Sequence, residues 1–327
     1  MGTAPTAGPS PARFGLGTAA VGRPGYITLG RDLDLPADRS VEALRARTHA
    51  LLDAAHAAGV RYFDTARSYG RAEEFVGEWL ATRPEAAADV VVGSKWGYTY
   101  TADWQASGVP VHEVKDHSTA VFDRQIRESR ALLGPRLDVY LVHSVTPDSP
   151  ALTDRALHER LAELAAGGLR VGLSTSGPAQ RETVRAALEV EVAGRPLFEA
   201  VQSTWNLLEP SAGPALAEAR AAGLLVVVKE GMANGRLADR NATGADTAAL
   251  RALGARTGAS CDALALAAVA AQPWADIVLS GAATPAQLAS NLTAARLDLD
   301  LGEFAGLAAL AEPAELYWRT RAALPWA

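Results

Sequence analysis

Asp64, Tyr69, Lys95 and His143 are the residues whose types and settings can do chemistry together. Asp64 stands near the end of the apolar run RYFDTA, Tyr69 follows in SYGRAEE, Lys95 closes DVVVGSK, and His143 stands at the end of LDVYLVHS. A tyrosine with an ordinary pKa near ~10 is a weak acid at neutral pH, yet its hydroxyl can give a proton to a developing alkoxide. A nearby ammonium favours the phenolate, and a carboxylate keeps that ammonium charged and fixed. The histidine can orient a carbonyl oxygen or relay a proton. Such a set polarises a carbonyl but supplies no electrons, so a hydride needs a cofactor. Each residue also has a structural reading: Asp64 as a helix cap, Tyr69 as a packed aromatic, Lys95 as half of an ion pair, His143 as a core histidine. Neighbouring strands lie ~4.8 Å apart, and a shared position at one end of three strands favours the chemical reading.

The elements that must position these groups follow from the hydrophobic pattern. Short apolar runs at 13–19, 61–66, 89–95, 137–144, 169–176, 200–206, 224–230 and 276–282 read as strands. Helical patterns fall near 41–58, 71–82, 118–133, 151–166, 178–190, 212–222, 246–271 (with a break near Gly258) and 284–295. In the third, Ser118 can cap, Val121, Ile126, Leu132 and Leu133 supply an apolar side, and Gly134-Pro135 stops the helix. Runs such as DVVVG and LLVVV are apolar on both faces, as expected where helices cover a parallel sheet. Eight β-then-α units predict an α/β fold, a closed (β/α)8 TIM barrel over residues 13–327 as a single domain, with a C-terminal tail near its active face. An open doubly wound sheet is the alternative, but GLGTAAVG at 15–22 has no helix straight after it. The long connections 20–40, 98–117 and 231–245 are rich in Gly, Pro, Asp or Tyr, and two of them follow strands, on the face where barrels keep their chemistry.

Composition narrows the partners. The chain has 327 residues and a net charge of −6, with no basic tract of the kind that tracks phosphates, so nucleic acid is not an expected partner. Cys261 is the single cysteine, which fits a reducing, cytoplasmic setting. The opening MGTAPTAGPSPA, residues 1–12, reads as a flexible leader rather than a secretion signal. No apolar run reaches the ~18 residues of a membrane span. Of 31 basic residues only Lys95, Lys115 and Lys229 are lysines, so each is worth examining as a compact, titratable charge. His112 and His117, with Asp103, Glu113 and Asp116 nearby, lack a recognisable ligand spacing, and no metal is expected. The sequence sets no oligomeric state.

From about residue 13 to residue 300 the sequence resembles the aldo-keto reductase superfamily. The resemblance is carried by FDTARSYGRAEE, GSKWGY, LDVYLVHS, LRVGLSTSG, VQSTWNLLE and SGAATPAQLASN. It implies a (β/α)8 barrel, a nicotinamide cofactor bound without a Rossmann fold, and reversible conversion of a carbonyl and an alcohol, with aldehydes, ketones or sugars as small-molecule substrates. The family's catalytic Asp, Tyr, Lys and His fall on Asp64, Tyr69, Lys95 and His143. The positions that hold the nicotinamide amide fall on Ser174, Thr175 (where Asn is usual) and Gln202. After the seventh strand the family usually stacks an aromatic residue on the nicotinamide; here Lys229 and Glu230 stand in VKEGMANGRL, and Trp205 is an alternative cover. Lys229 either pairs with Glu230 or Glu209 or reaches the cofactor amide or an anionic substrate group. Gly235, in the same stretch, is placed with the cofactor-binding residues, as are Ser280, Gly281, Thr284, Gln287 and Asn291 of the last motif, where free N–H groups at a helix start suit a phosphate. The family favours NADP(H), while the absence of Lys and Arg from SGAATPAQLASN leaves NAD(H) open.

The substrate pocket is expected from Trp96, Tyr98 and Trp104 after the third strand, Trp205 after the sixth, and Tyr317-Trp318 in the tail. Arg319 and Arg321 there either bind an acidic group or face solvent. Two other functions remain: a Schiff-base aldolase using Lys95 or Lys229, which Asp64 beside Lys95 opposes, and a cofactor-sensing regulatory barrel with little turnover.

Overall fold

Alternation with period two builds the centre of the molecule. The computed structural model describes residues 11–35, 37–241, 247–297, 299 and 301–326. The barrel strands are β1 (Phe14–Gly17), β2 (Tyr62–Asp64), β3 (Val91–Trp96), β4 (Val139–Val145), β5 (Arg170–Thr175), β6 (Ala200–Thr204), β7 (Leu225–Lys229) and β8 (Ile277–Ser280). They pair in parallel and close in the order β1-β8-β7-β6-β5-β4-β3-β2. The expected barrel is therefore the observed one, and each strand overlaps one of the eight apolar runs, β3 and β4 each ending one residue beyond its run. Of the leader expected at 1–12, residues 1–10 lie outside the described residues.

Tyr62, Val139, Leu141, Ala200, Val227 and Leu279 fill the barrel interior, with Leu225 and Ile277 packed against them. The alternate residues, Phe63, Val92, Tyr140, Val142, Val171, Leu173, Val201 and Val228, join the second core between sheet and helices. That outer layer includes α1 (Val41–Ala57), α2 (Ala72–Thr82), α3 (Thr119–Leu133), α4 (Arg155–Ala166), α5 (Gln180–Leu188), α6 (Gly213–Ala221), α7 (Ala248–Thr257), α8 (Cys261–Ala270), α9 (Pro285–Leu292) and α10 (Ala314–Ala322). Ser118 accepts from the Val121 N–H at 3.3 Å and starts α3; Gly134, at φ +58°, ends it. Phe122, Ile126 and Leu133 bury its apolar side, whereas Leu132, expected on that side, is exposed. Gly258, at φ +72°, divides α7 from α8 at the expected break, because a left-handed residue cannot continue a helix.

The loop after β3 carries an antiparallel hairpin, Tyr98–Tyr100 with Glu113–Lys115. The chain end returns to this side. Trp326 bridges to Ile27 and stacks on His112 at 4.3 Å. No helix among the described residues is long and apolar enough to cross a membrane.

Gly172 shows how tightly the barrel closes. A Cβ at this position would lie 2.1 Å from the Ala200 carbonyl oxygen and 2.8 Å from Leu141 Cδ2. Gly172→Ala is expected to lower stability by about 2 kcal/mol, read as a shifted urea midpoint; an unchanged midpoint would show that β5 and β6 separate freely.

Candidate functional site at the C-terminal mouth of the barrel

Continuing the inward parity to the strand ends puts polar groups where the apolar interior stops. Above Tyr62 comes Asp64, above Leu141 comes His143, above Ala200 comes Gln202, and above Val227 comes Lys229. Lys95 takes the matching position on β3. A buried carboxylate and ammonium in this layer need partners, and they find each other.

Lys95 Nζ donates to Asp64 Oδ2 at 2.6 Å and to the Thr65 carbonyl at 2.9 Å, and lies 3.4 Å from the Tyr69 hydroxyl. The lysine is fully buried and Asp64 nearly so. The other carboxylate oxygen, Oδ1, accepts from Gln202 Nε2 at 2.7 Å. Burial lowers the Lys95 pKa, and Asp64 opposes that shift. Burial raises the Tyr69 pKa well above its ordinary value, with Asp64 adding to the rise and Arg23, 5.4 Å above the ring, opposing it. The net shift is opposite to the lowering expected from the sequence, because the lysine's charge is held by Asp64 while burial acts on the phenol directly. Tyr69 is thus a protonated phenol with an ammonium beside it.

His143 reaches the same space through an irregularity that the sequence does not advertise. The β4–β5 register shifts between Val142 and Val145, and Ser144 adopts φ +56°. Such an extra residue re-aims side chains at a strand end. The Ser144 N–H donates to Ser174 Oγ, an expected cofactor residue, at 2.8 Å, which leaves the serine's own proton to donate. The His143 ring stands edge-on to Tyr69 at 5.6 Å and to Tyr98 at 5.0 Å. Burial, then the charges of Lys95, Lys229 and Arg23, pull its pKa well below the ordinary value, so the imidazole is neutral. His117, by contrast, is buried behind it and bonds the His143 carbonyl at 2.7 Å and Ser149 Oγ at 2.6 Å, a supporting role that its sequence neighbourhood did not signal.

Asp64, Tyr69 and His143, with Lys95 buried behind them, open into a cleft of about 840 Å³ that is also lined by Gly17, Tyr26, Gln202, Lys229, Glu230, Gly235, Ser280 and Gly281. Among the described residues lining it, three buried side-chain atoms lack partners within the protein: Gln202 Oε1, His143 Nδ1 and Asn234 Oδ1. At the end of β7, Lys229 Nζ donates to Thr204 Oγ1 at 2.8 Å and lies 4.0 Å from Glu230. Glu230 adopts φ +57° and accepts from Arg321 Nε at 2.9 and 3.0 Å. Arg321 thus turns toward the barrel rather than to solvent, while Arg319 is exposed. Burial pushes the Glu230 pKa up, but Arg321 and Lys229 outweigh it and hold the group down at about 2. Burial brings Lys229 down to about 8 against the opposing pull of Glu230. Glu209 is not its partner; that carboxylate bonds Ser211.

A second hollow of about 510 Å³ continues from the cleft past Tyr26, Thr28, Met232, Gly235 and Gly281 to Asp34, Arg240, Asp262, Gln287 and Asn291. A Cβ on Gly281 would meet nothing within 4 Å. Arg240 holds Asp34 through two nitrogens, at 2.8 and 2.7 Å, and Gln287 Nε2 donates to the same carboxylate at 2.6 Å. This cation comes from the 231–245 connection, outside the last motif. Asn291 donates to Ser280 Oγ at 2.9 Å. Thr284 caps α9 by accepting from the Gln287 N–H at 3.1 Å and does not line either hollow.

Several expected residues lie elsewhere. Trp96, one residue beyond inward-facing Lys95, points to the helix layer and packs on Phe122 at 5.0 Å. Trp205 meets Trp274 at 5.7 Å in the helix layer, so it cannot cover a ligand in the cleft. Thr175 likewise faces outward, bonded to Ser203 at 2.7 Å and Gln180 at 3.1 Å. Trp104 donates to the Arg39 carbonyl at 2.9 Å on the outer rim beside Phe75. Tyr317 is buried against Asn206, and Trp318 lies 5.8 Å beneath the Lys229 ammonium. Of the aromatics assigned to a substrate pocket, Tyr98 stands beside His143.

The model of the Aldo/keto reductase family matches residues 15–312. The chain is 27% identical over 243 residues to aldo-keto reductase ausK of Emericella nidulans, covering 72% of this chain and 56% of that protein. To its namesake from Aspergillus calidoustus it is 28% identical over 197 residues, covering 58% and 48%. The chain thus spans about half the length of these curated relatives. In fold it is similar to aldo-keto reductase AKR11C1 from Bacillus halodurans in its holo form, with a TM-score of 0.67, 21% identity, and coverage of 92% and 93%.

Removing one partner of a buried ion pair strands the other. Lys95→Met is expected to cost about 3 kcal/mol by urea denaturation, and adding Asp64→Asn should recover much of that loss. Equal midpoints for the single and double variants would mean that Asp64 does not depend on the lysine.

Proposed function

We propose that this chain, which belongs to the aldo/keto reductase family, interconverts a small carbonyl compound and the corresponding alcohol with a nicotinamide cofactor, using Tyr69 as proton donor in reduction. The observation that carries the reading is the placement of the Lys95 ammonium between the Asp64 carboxylate and the Tyr69 hydroxyl. A nicotinamide, when bound, supplies or accepts the hydride at the carbonyl carbon.

The residues present suit such a cofactor. Gln202 must turn its Nε2 to Asp64, which accepts only, so its free Oε1 is an acceptor for an amide N–H. Gly235 and Gly281 present no side chains of their own to the groove between the two hollows. The far hollow combines the Asp34 and Asp262 carboxylates with an arginine already held by Asp34. Carboxylates there accept from ribose hydroxyls and repel a phosphate, which favours NAD(H) over NADP(H).

Reduction would then proceed as follows. The carbonyl oxygen lies between the Tyr69 hydroxyl and the neutral His143 ring. As negative charge grows on that oxygen, Tyr69 gives up its proton and the resulting phenolate is stabilised by Lys95. Asp64, tied to Gln202, holds Lys95 in position and keeps it charged. A phenol with a raised pKa stays protonated until that moment.

Tyr69→Phe should abolish NAD(P)H-dependent reduction of an aldehyde and ketone panel, lowering kcat by a factor of about 10³ or more, while cofactor affinity stays within about threefold. Near-normal turnover would remove Tyr69 from the role. Wild-type binding of cofactor with no turnover on any substrate would instead favour a cofactor-sensing barrel. Asp34→Asn frees Arg240 and should shift the ratio of NAD+ to NADP+ dissociation constants about tenfold toward the phosphorylated cofactor, measured by titration calorimetry. An unmoved ratio would place the adenosine end elsewhere.

A further inference from the structure

We infer that Lys229 makes the site selective for the redox state of its cofactor, its ammonium disfavouring the cationic oxidised nicotinamide and sparing the neutral reduced one. The inference rests on the nicotinamide reading of the cleft and adds a charge discrimination to it.

The argument is one of position and of charge balance. The inward series Leu225, Val227, Lys229 ends at the floor of the cleft that also holds Asp64, Tyr69, His143 and Gln202. An ammonium has three donors; this one makes a hydrogen bond to Thr204 Oγ1 at 2.8 Å, and Glu230 at 4.0 Å is beyond that range. Glu230 is engaged by Arg321 through two nitrogens, so those two charges cancel, as do Lys95 and Asp64. Arg23, over Tyr69, is paired with Glu113 at 2.9 Å. His143 is neutral. Among the described residues Lys229 is the positive charge left over beside the cleft, and its partial burial limits screening by salt.

A unit charge within ~10 Å of another, at an effective dielectric near ~20, changes a binding constant about tenfold. The effect requires the protonated amine. With its pKa drawn down to about 8 by burial, against Glu230 and with Arg321 and Lys95, Lys229 is charged below that pH and loses its charge above it. The groups facing it are Thr204, Glu230, Arg321, Lys95, Asp64, His143 and the Trp318 ring.

The test is to measure dissociation constants of NAD+, NADH, NADP+ and NADPH by calorimetry at pH 6.5 for the full chain and its K229M and K229R variants. The oxidised-to-reduced ratio should fall about tenfold in K229M and be retained in K229R. A ratio within twofold of wild type in a folded K229M that binds both forms overturns the inference and leaves the nicotinamide reading intact. Should K229M not fold, the wild-type ratio between pH 6.5 and pH 9 decides: a decline through about 8 supports the inference, and a flat ratio overturns it. If neither redox form binds the wild-type chain, the nicotinamide reading fails and this inference with it.

Discussion

A carboxylate and an ammonium, Asp64 and Lys95, share the end of the barrel with almost no exposure to solvent. Burying each charge alone would cost several kcal/mol. Together they are tolerated because the contacts are short and the remaining capacity is used: Gln202 donates to the second carboxylate oxygen and the Thr65 carbonyl takes another lysine proton. The pair constrains the molecule broadly, since its members come from β2 and β3 while Gln202 comes from β6, across the barrel. A slip of one residue in any of these strands would turn its member toward the helices. Closure of the barrel and assembly of the site are thus one requirement.

That same parity explains what could be read from the sequence. Asp64, Lys95 and His143 end apolar runs, and a strand's fixed alternation carries them inward once the barrel is assumed. The same rule turns Trp96 and Thr175 outward: each stands one residue beyond an inward position, at Lys95 and Ser174. Trp205, just past the end of β6, also lies in the helix layer. The eight strands were legible because central parallel strands are apolar on both faces. The Ser144 irregularity was not, because no glycine or proline marks it.

Groups contributed by loops and tail were the least legible. Arg23 and Arg240 come from loop segments and Arg321 from helix α10, and their partners Glu113, Asp34 and Glu230 lie far away in the chain. Sequence spacing carries no information about such pairs. The direction of the Tyr69 shift is illegible for a related reason: a nearby charge can be named from sequence, whereas the depth of burial that outweighs it depends on the whole enclosure.

Two backbone positions connect stability to the site. Ser144 and Glu230, both at strand ends and both lining the cleft, adopt left-handed φ that non-glycine residues avoid, at a cost of order ~1–3 kcal/mol each. Each is held by a specific partner, Ser174 for the Ser144 N–H and Arg321 for the Glu230 carboxylate. Neither partner is needed to build a barrel strand. Their effect is to fix where β4 and β7 stop, and hence which of His143, Lys229 and Glu230 face the cleft and with what charge. The C-terminal helix α10, through Arg321, therefore acts on the electrostatics of the site and not merely on its outline: without the guanidinium, the Glu230 carboxylate 4.0 Å from Lys229 would balance that ammonium alone, and the excess positive charge of the cleft would disappear.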